Sequence, residues 1–281
     1  MWHFSQCRLS EYVVKKYWHI IGIGIQNTLV YRVNFLLRAL FGLIPLTATI
    51  FLWRAVFAEK PPGTDVAGYT LASMISYYLV VTVVDALTAV TEDDWQISAD
   101  IKDGNINHFL LKPIDYLKYR LCLFVSARLV YLAAAAIPVT LFILFQHESF
   151  VLPNQVLTWG YFFWSVAMAA LLNFFISYTM AMLAFWVLEI STFIFILFAF
   201  EYIAGGHLFP VDIIPAAWLQ VLNWSPFPYQ LFFPVSVYLE RSQGPVLWHG
   251  LGVQLFWVIF FFALARLAWN RGIRRYTAAG G

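Results

Sequence analysis

Residues 149–188 read SFVLPNQVLTWGYFFWSVAMAALLNFFISYTMAMLAFWVL and contain no charged side chain. A helix needs about 20 mostly apolar residues to cross a hydrocarbon core about 30 Å thick. Even without the loop through Asn154, this stretch exceeds one bilayer thickness, which predicts a single long, tilted helix over about 156–186. The rest of the chain agrees with a lipid solvent. Of its 281 residues, 62% are hydrophobic and only 11% are charged, against roughly 45–50% and about 25% in soluble domains. A soluble chain could not bury that much apolar surface. The 27 Phe suit the hydrocarbon region, and the 12 Trp and 15 Tyr suit its interfaces. A net charge of +2 is too small for an electrostatic footprint on nucleic acid.

Further candidate spans run from about 34 to 58, 67 to 90, 121 to 145, 190 to 204 and 246 to 269. The predicted fold is therefore an all-α membrane protein of six transmembrane helices, forming one domain over residues 1–281. Pro45 and Pro138 fall inside two of the spans, where each removes a helical hydrogen bond. No cleavable leader is recognised before residue 30, so insertion is expected to rely on retained spans. With the N-terminus cytoplasmic, the inner segments hold Arg8, Lys15, Lys16, Arg32, Lys102, Lys112, Lys118, Arg120, Arg271, Arg274 and Arg275. The outer segments then hold only Lys60 and Arg241. The excess of inner Lys and Arg predicts both termini inside.

Three segments are not spans. In residues 1–31, Arg8, Glu11, Lys15 and His19 share one helical face, as in an amphipathic helix lying in the interface. Residues 91–119 form a compact cytoplasmic loop of mixed charge. Thr91 is placed to cap a short helix whose first turn holds Glu92, Asp93 and Asp94, and Gly104-Asn105 is placed to stop it. Residues 205–245 hold Pro210, Pro215, Pro226, Pro228, Pro234 and Pro245 yet stay apolar, with Asp212, Glu240 and Arg241 as their only charges. Short helices dipping into the membrane from outside fit this composition, because irregular backbone survives at that depth only against protein or a wet cavity.

Two patterns carry a family resemblance. One is Asp100-Ile101-Lys102-Asp103-Gly104 followed by Leu110-Leu111-Lys112-Pro113. The other is Gly205-Gly206-His207-Leu208-Phe209-Pro210, then Pro215, Trp218-Leu219 and Asn223-Trp224-Ser225-Pro226-Phe227. In this order and on these sides the chain resembles the type-2 ABC exporter permeases over essentially its whole length. Many members place Asn directly before Pro at the second exit, where Trp224 and Ser225 intervene here.

The resemblance implies alternating access by two facing permeases above two ABC ATPase subunits in a bacterial cytoplasmic membrane. The second permease would be a paralogous chain, or otherwise a second copy of this one. It implies coupling through Asp100, Ile101, Lys102, Asp103 and Gly104, and an outer gate at Phe209, Pro210, Trp218 and Pro226. It also implies that ATP and Mg sit on the partner, with no cofactor on this chain. No Gly precedes a Lys, so a phosphate-binding P-loop is absent.

Charges inside spans are costly and tend to face a wet path or a partner charge. Asp85 and Arg128 are placed to pair with each other. Glu201, near the outer end of the fifth span, is the leading candidate to meet a cationic or polar substrate, with Asp85 as a second path residue. His207 could approach Glu201 across the Gly-Gly turn. The competing classes are an ATP-independent secondary transporter or channel, and an intramembrane enzyme. For the latter, no histidine pair has metal-ligand spacing and no serine sits in a G-x-S-x-G elbow.

Overall fold

A computed structural model describes residues 3–61, 63–90, 93–187 and 189–276, with side chains from residue 14 onward and, in the segment after residue 92, from Trp95. The helices are α1 (His3–Leu29), α2 (Arg32–Ala58), α3 (Leu71–Thr88), α4 (Asp93–Lys102), α5 (Asn107–Leu110), α6 (Tyr116–Phe145), α7 (Val156–Ala181), α8 (Ser191–Ala204), α9 (Ala216–Asn223), α10 (Phe232–Tyr238) and α11 (Gly244–Arg275). No strand forms among the described residues; Val66 and Tyr69 make an isolated bridge.

Five helices are long and apolar enough to cross a membrane: α2, α3, α6, α7 with the 3₁₀ turn that extends it to Phe185, and α11. The uncharged stretch 156–185 is thus one continuous helix. The segment 190–204 is different. It forms the 14-residue α8, about 21 Å long at 1.5 Å per residue, well short of the hydrocarbon thickness.

Burial separates a centre from a periphery. In the apolar windows of α3 and α7, 61% of residues are buried, against 17–22% in α2, α6 and α11. The outer helices turn residues such as Phe41, Phe51, Leu141, Phe256 and Phe260 outward, as expected where lipid replaces water. The core lies between α3 and α7, around Tyr77, Met74, Leu79, Leu172, Phe174 and Tyr178.

Polar groups link these helices. Gln254 of α11 is fully buried and fully paired. Its Oε1 accepts from Ser165 Oγ (3.1 Å), and its Nε2 donates to Ser165 O (3.0 Å) and Tyr229 O (2.9 Å). The second half of α1 packs on α6. There Ser126 Oγ donates to Ile21 O at 3.1 Å, and a Cβ added to Gly24 would come 2.7 Å from that hydroxyl. Lys16 Nζ also donates to Pro113 O (2.8 Å), so α1 is held to the bundle at Lys16, Ile21 and Gly24. The side chains of Arg8 and Glu11, and residues Thr91 and Glu92, lie outside the described residues.

Segment 205–245 touches the bundle at two levels. Asp212 and Arg241 both meet Tyr69, just before α3. Between them, Tyr229 meets Gln254, ten residues along α11 from Gly244, and Phe232 N donates to Gly205 O at 3.0 Å. The stretch between α9 and α10 therefore sits about 15 Å below the start of α11.

Candidate functional site

A cavity of about 240 Å³ opens where the short α8 stands off from α3 and α7. It lies in the half of the bundle nearest α4. Helical spacing supplies its walls. Asp85 and Ala89 come from α3 and its C-cap, Asn173, Ile176 and Ser177 from α7, and Leu197, Phe198, Glu201 and Tyr202 from α8. His207 enters from the turn after α8. The two candidate path residues, Asp85 and Glu201, thus line one space.

His207 Nε2 lies 3.4 Å from Asp85 Oδ1, and its ring stacks on Tyr202 with centroids 5.3 Å apart. The expected Asp85–Arg128 pair does not form. Arg128 is buried with its guanidinium over the rings of Phe124 and Tyr131. The physical reason is reach: the Gly205-Gly206 turn delivers an imidazole to Asp85, whereas Arg128 points into the aromatic face of its own helix. Asn173 Nδ2 donates to Thr88 O at 3.2 Å. Asn173 Oδ1 and Ser177 Oγ are buried and have no hydrogen-bond partner. Sequence reasoning passed over Asn173 and Ser177, although polar residues four apart in an uncharged helix were a signal.

The Gly-Gly turn sets this geometry. Gly206 has φ +98°, which an L side chain rarely adopts, and its carbonyl accepts from Tyr77 Oη at 2.6 Å. Tyr78 Oη donates to Leu208 O at 2.9 Å, so two neighbouring tyrosines of α3 hold the turn from below. Of the gate candidates, Pro210 is buried, Phe209 and Pro226 are half-buried, and Trp218 is exposed. Asp212 fastens the segment near the start of α3. It accepts from Tyr69 Oη (2.9 Å) and from Arg241 Nε (3.1 Å), while Arg241 Nη1 donates to Gly68 O (2.8 Å) and its guanidinium lies 3.8 Å from the Tyr69 ring centre.

At the other end, α4 packs against the C-terminal end of α7 and forms a knob with α5. Ile97, Ile101 and Ile106 are buried beneath it. Asp100 also turns inward, accepting from Tyr116 Oη (2.8 Å) and from the buried Arg120, whose Nε donates to Tyr116 Oη (2.9 Å) and whose Nη1 donates to Gln96 Oε1 (3.2 Å). Lys102, Asp103 and Asn105 stay exposed. Gly104 turns the chain at φ +79°, letting Ile106 N return to Asp100 O at 2.9 Å. Of the five coupling candidates, Asp100 and Ile101 therefore anchor the knob, Lys102 and Asp103 face out, and Gly104 makes its turn. At the foot of α8, Glu189 accepts from Ser191 N at 2.9 Å. The hydrogen bond from the Ser191 hydroxyl, with this one from its amide, holds the Glu189 carboxyl below its ordinary range.

Five long apolar helices, a cavity between α3, α7 and α8 that holds Asp85, Glu201 and His207, and a knob that exposes Lys102 and Asp103 at one end define a multi-pass integral membrane protein. The family described as ABC-2 family transporter protein matches residues 43–280. The chain belongs to that family, the membrane components of ABC transporters, which are not themselves catalytic and belong to systems with an ATPase partner. Comparisons with curated proteins and with solved structures give no match.

Proposed function

We propose that this chain is the permease subunit of an ATP-driven exporter in a bacterial cytoplasmic membrane. It moves an amphipathic or hydrophobic substrate outward from the cytoplasm or inner leaflet by alternating access. Two ABC ATPase subunits dock below and carry ATP and Mg. A second permease, paralogous or identical, faces this one.

The observation that carries this reading is the division of labour in the α4–α5 knob. Its apolar face and Asp100 are locked to the bundle, while Lys102 and Asp103 are presented outward. A rigid knob with a polar outer face passes a partner's movement into α6 and α7 rather than absorbing it. The segment from Phe209 to Pro226 then acts as the outer gate, re-entering the membrane between α8 and α11, with α8 as the sixth and shortest span. Its exposed Trp218 and Trp224 suit the headgroup region.

The test is to tag the chain after Gly281, extract the complex in mild detergent and identify what accompanies it by mass spectrometry. Recovery of an ABC ATPase, lost on replacing Lys102 and Asp103 with residues of opposite charge, supports the proposal. Repeated recovery of this chain alone from membranes that contain the ATPase overturns it in favour of an ATP-independent carrier.

A further inference from the structure

The cavity beside α8 has an excess of hydrogen-bond acceptors. Asn173 is 7% exposed and Ser177 is 6% exposed, yet Asn173 Oδ1 and Ser177 Oγ reach no partner. Leaving such atoms unpaired in a buried site is costly. The Ser177 hydroxyl is also unlike its counterparts. Thr82, Thr88, Ser126 and Thr179 each donate to the carbonyl four residues back, and Ser177 does not. Asp85 and Glu201 bring two carboxylates to the same space. Phe198 and Tyr202 add aromatic faces.

We propose that this cavity binds a protonated primary or secondary amine carrying an apolar tail, which names the substrate class of the exporter reading above and rests on it. The N–H groups of the ammonium meet Asn173 Oδ1, Ser177 Oγ and the carboxylates, while the rings of Phe198 and Tyr202 receive its positive charge. A quaternary ammonium lacks the N–H groups these acceptors need, and an anion meets two like charges. At about 240 Å³ the space is small beside drug-sized pockets of roughly 300–1,000 Å³. It therefore takes the ammonium head and the first part of the tail. The rest passes out along α8, whose Phe195, Phe200 and Ile203 are exposed. Among the described residues no group of three His, Cys, Asp or Glu is placed to hold a metal ion, so a bare cation fits less well than an amine.

The test uses the full chain in lipid nanodiscs without any ATPase and titrates it with three probes: 4-phenylbutylamine, its N,N,N-trimethyl analogue and 4-phenylbutyrate. The amine is expected to bind about tenfold or more tighter than the trimethyl analogue, with no binding of the carboxylate. Glu201→Gln and Ser177→Ala, which change few atoms, are each expected to weaken the amine by about tenfold while keeping the thermal midpoint. Equal binding of all three probes overturns the proposal, as does a Glu201→Gln, Ser177→Ala double variant that binds the amine like the parent. The two readings fail separately. An amine-binding chain that never recovers an ATPase removes the exporter reading and keeps the site, whereas an ATPase complex whose permease ignores the amine does the reverse.

Discussion

Gly206 sits where one added methyl group meets two penalties. Its φ of +98° is strained for an L residue, and a Cβ there would lie 2.6 Å from Tyr77 Oη. Gly206→Ala is expected to cost about 1–3 kcal/mol, read as a lower thermal midpoint in detergent. Tyr77→Phe on that background relieves the contact with the hydroxyl but also deletes its hydrogen bond to Gly206 O and leaves the backbone strain, so it should restore at most part of the loss. Full restoration would show that the positive φ costs nothing. Glu240 offers a titration at the same scale. Burial pushes its carboxyl up, but Gln155 N (3.0 Å), Asn154 Nδ2 (3.1 Å) and Thr158 Oγ1 (3.1 Å) more than offset this and hold it below its ordinary 4.5. A folded-state pKa below the unfolded one means that the stabilisation is complete above the unfolded value and is lost as pH falls through the folded one. Amide exchange at the start of α7 should therefore quicken as pH falls below about 4.5, after correction for intrinsic exchange. Glu240→Gln should flatten that dependence, and a parent-like slope in the variant would dismiss the capping account.

At the scale of elements, the α4–α5 knob and the foot of α6 form one unit through Arg120. Removing one member of a buried pair leaves the other charge uncompensated, at a cost of about 3–5 kcal/mol. Arg120→Met is expected to loosen residues 95–110, read as faster hydrogen exchange there with α11 unchanged. Asp100→Asn should follow it in milder form, because the amide still accepts from Tyr116 and Arg120. Asp103→Asn, on the exposed face, should leave exchange untouched and weaken ATPase recovery alone. Equal effects from the Asp100 and Asp103 variants would erase the distinction between anchor and contact. The order of charges along 91–119 marked this segment as a knob. It could not say which aspartate faces inward, because that depends on where Arg120 and Tyr116 of another helix arrive.

For the whole molecule, the inner excess of Lys and Arg predicts both termini on the cytoplasmic side. A cysteine in place of Lys60 should react with an impermeant maleimide on intact cells, and one in place of Asp103 only after permeabilisation. Reaction of both from outside would overturn the arrangement. The same scale shows why the fifth span was the least legible. The apolar run over 190–204 reads like its neighbours and α8 does end at Ala204, but its 14 residues fall short of a hydrocarbon core, and the turn that follows is held by Tyr77 at Gly206 O, Tyr78 at Leu208 O and Phe232 N at Gly205 O. The turn after α8 is thus held by contacts with α3 and with a segment nearly 30 residues further on.

The amino-acid sequence alone determined the solvent, the all-helical class, the long spans and the placing of polar segments between them. Those properties follow from residue-by-residue transfer into lipid and from helical period, and both are local sums. Only the tertiary structure decided that Asp85 meets His207 and not Arg128, that Asp100 turns inward while Asp103 does not, and that Asn173 and Ser177 open onto the same space as Glu201. Each of these depends on helices far apart in the chain arriving side by side. A pairing between separate helices follows from their relative rotation and depth, which no single helix's pattern contains.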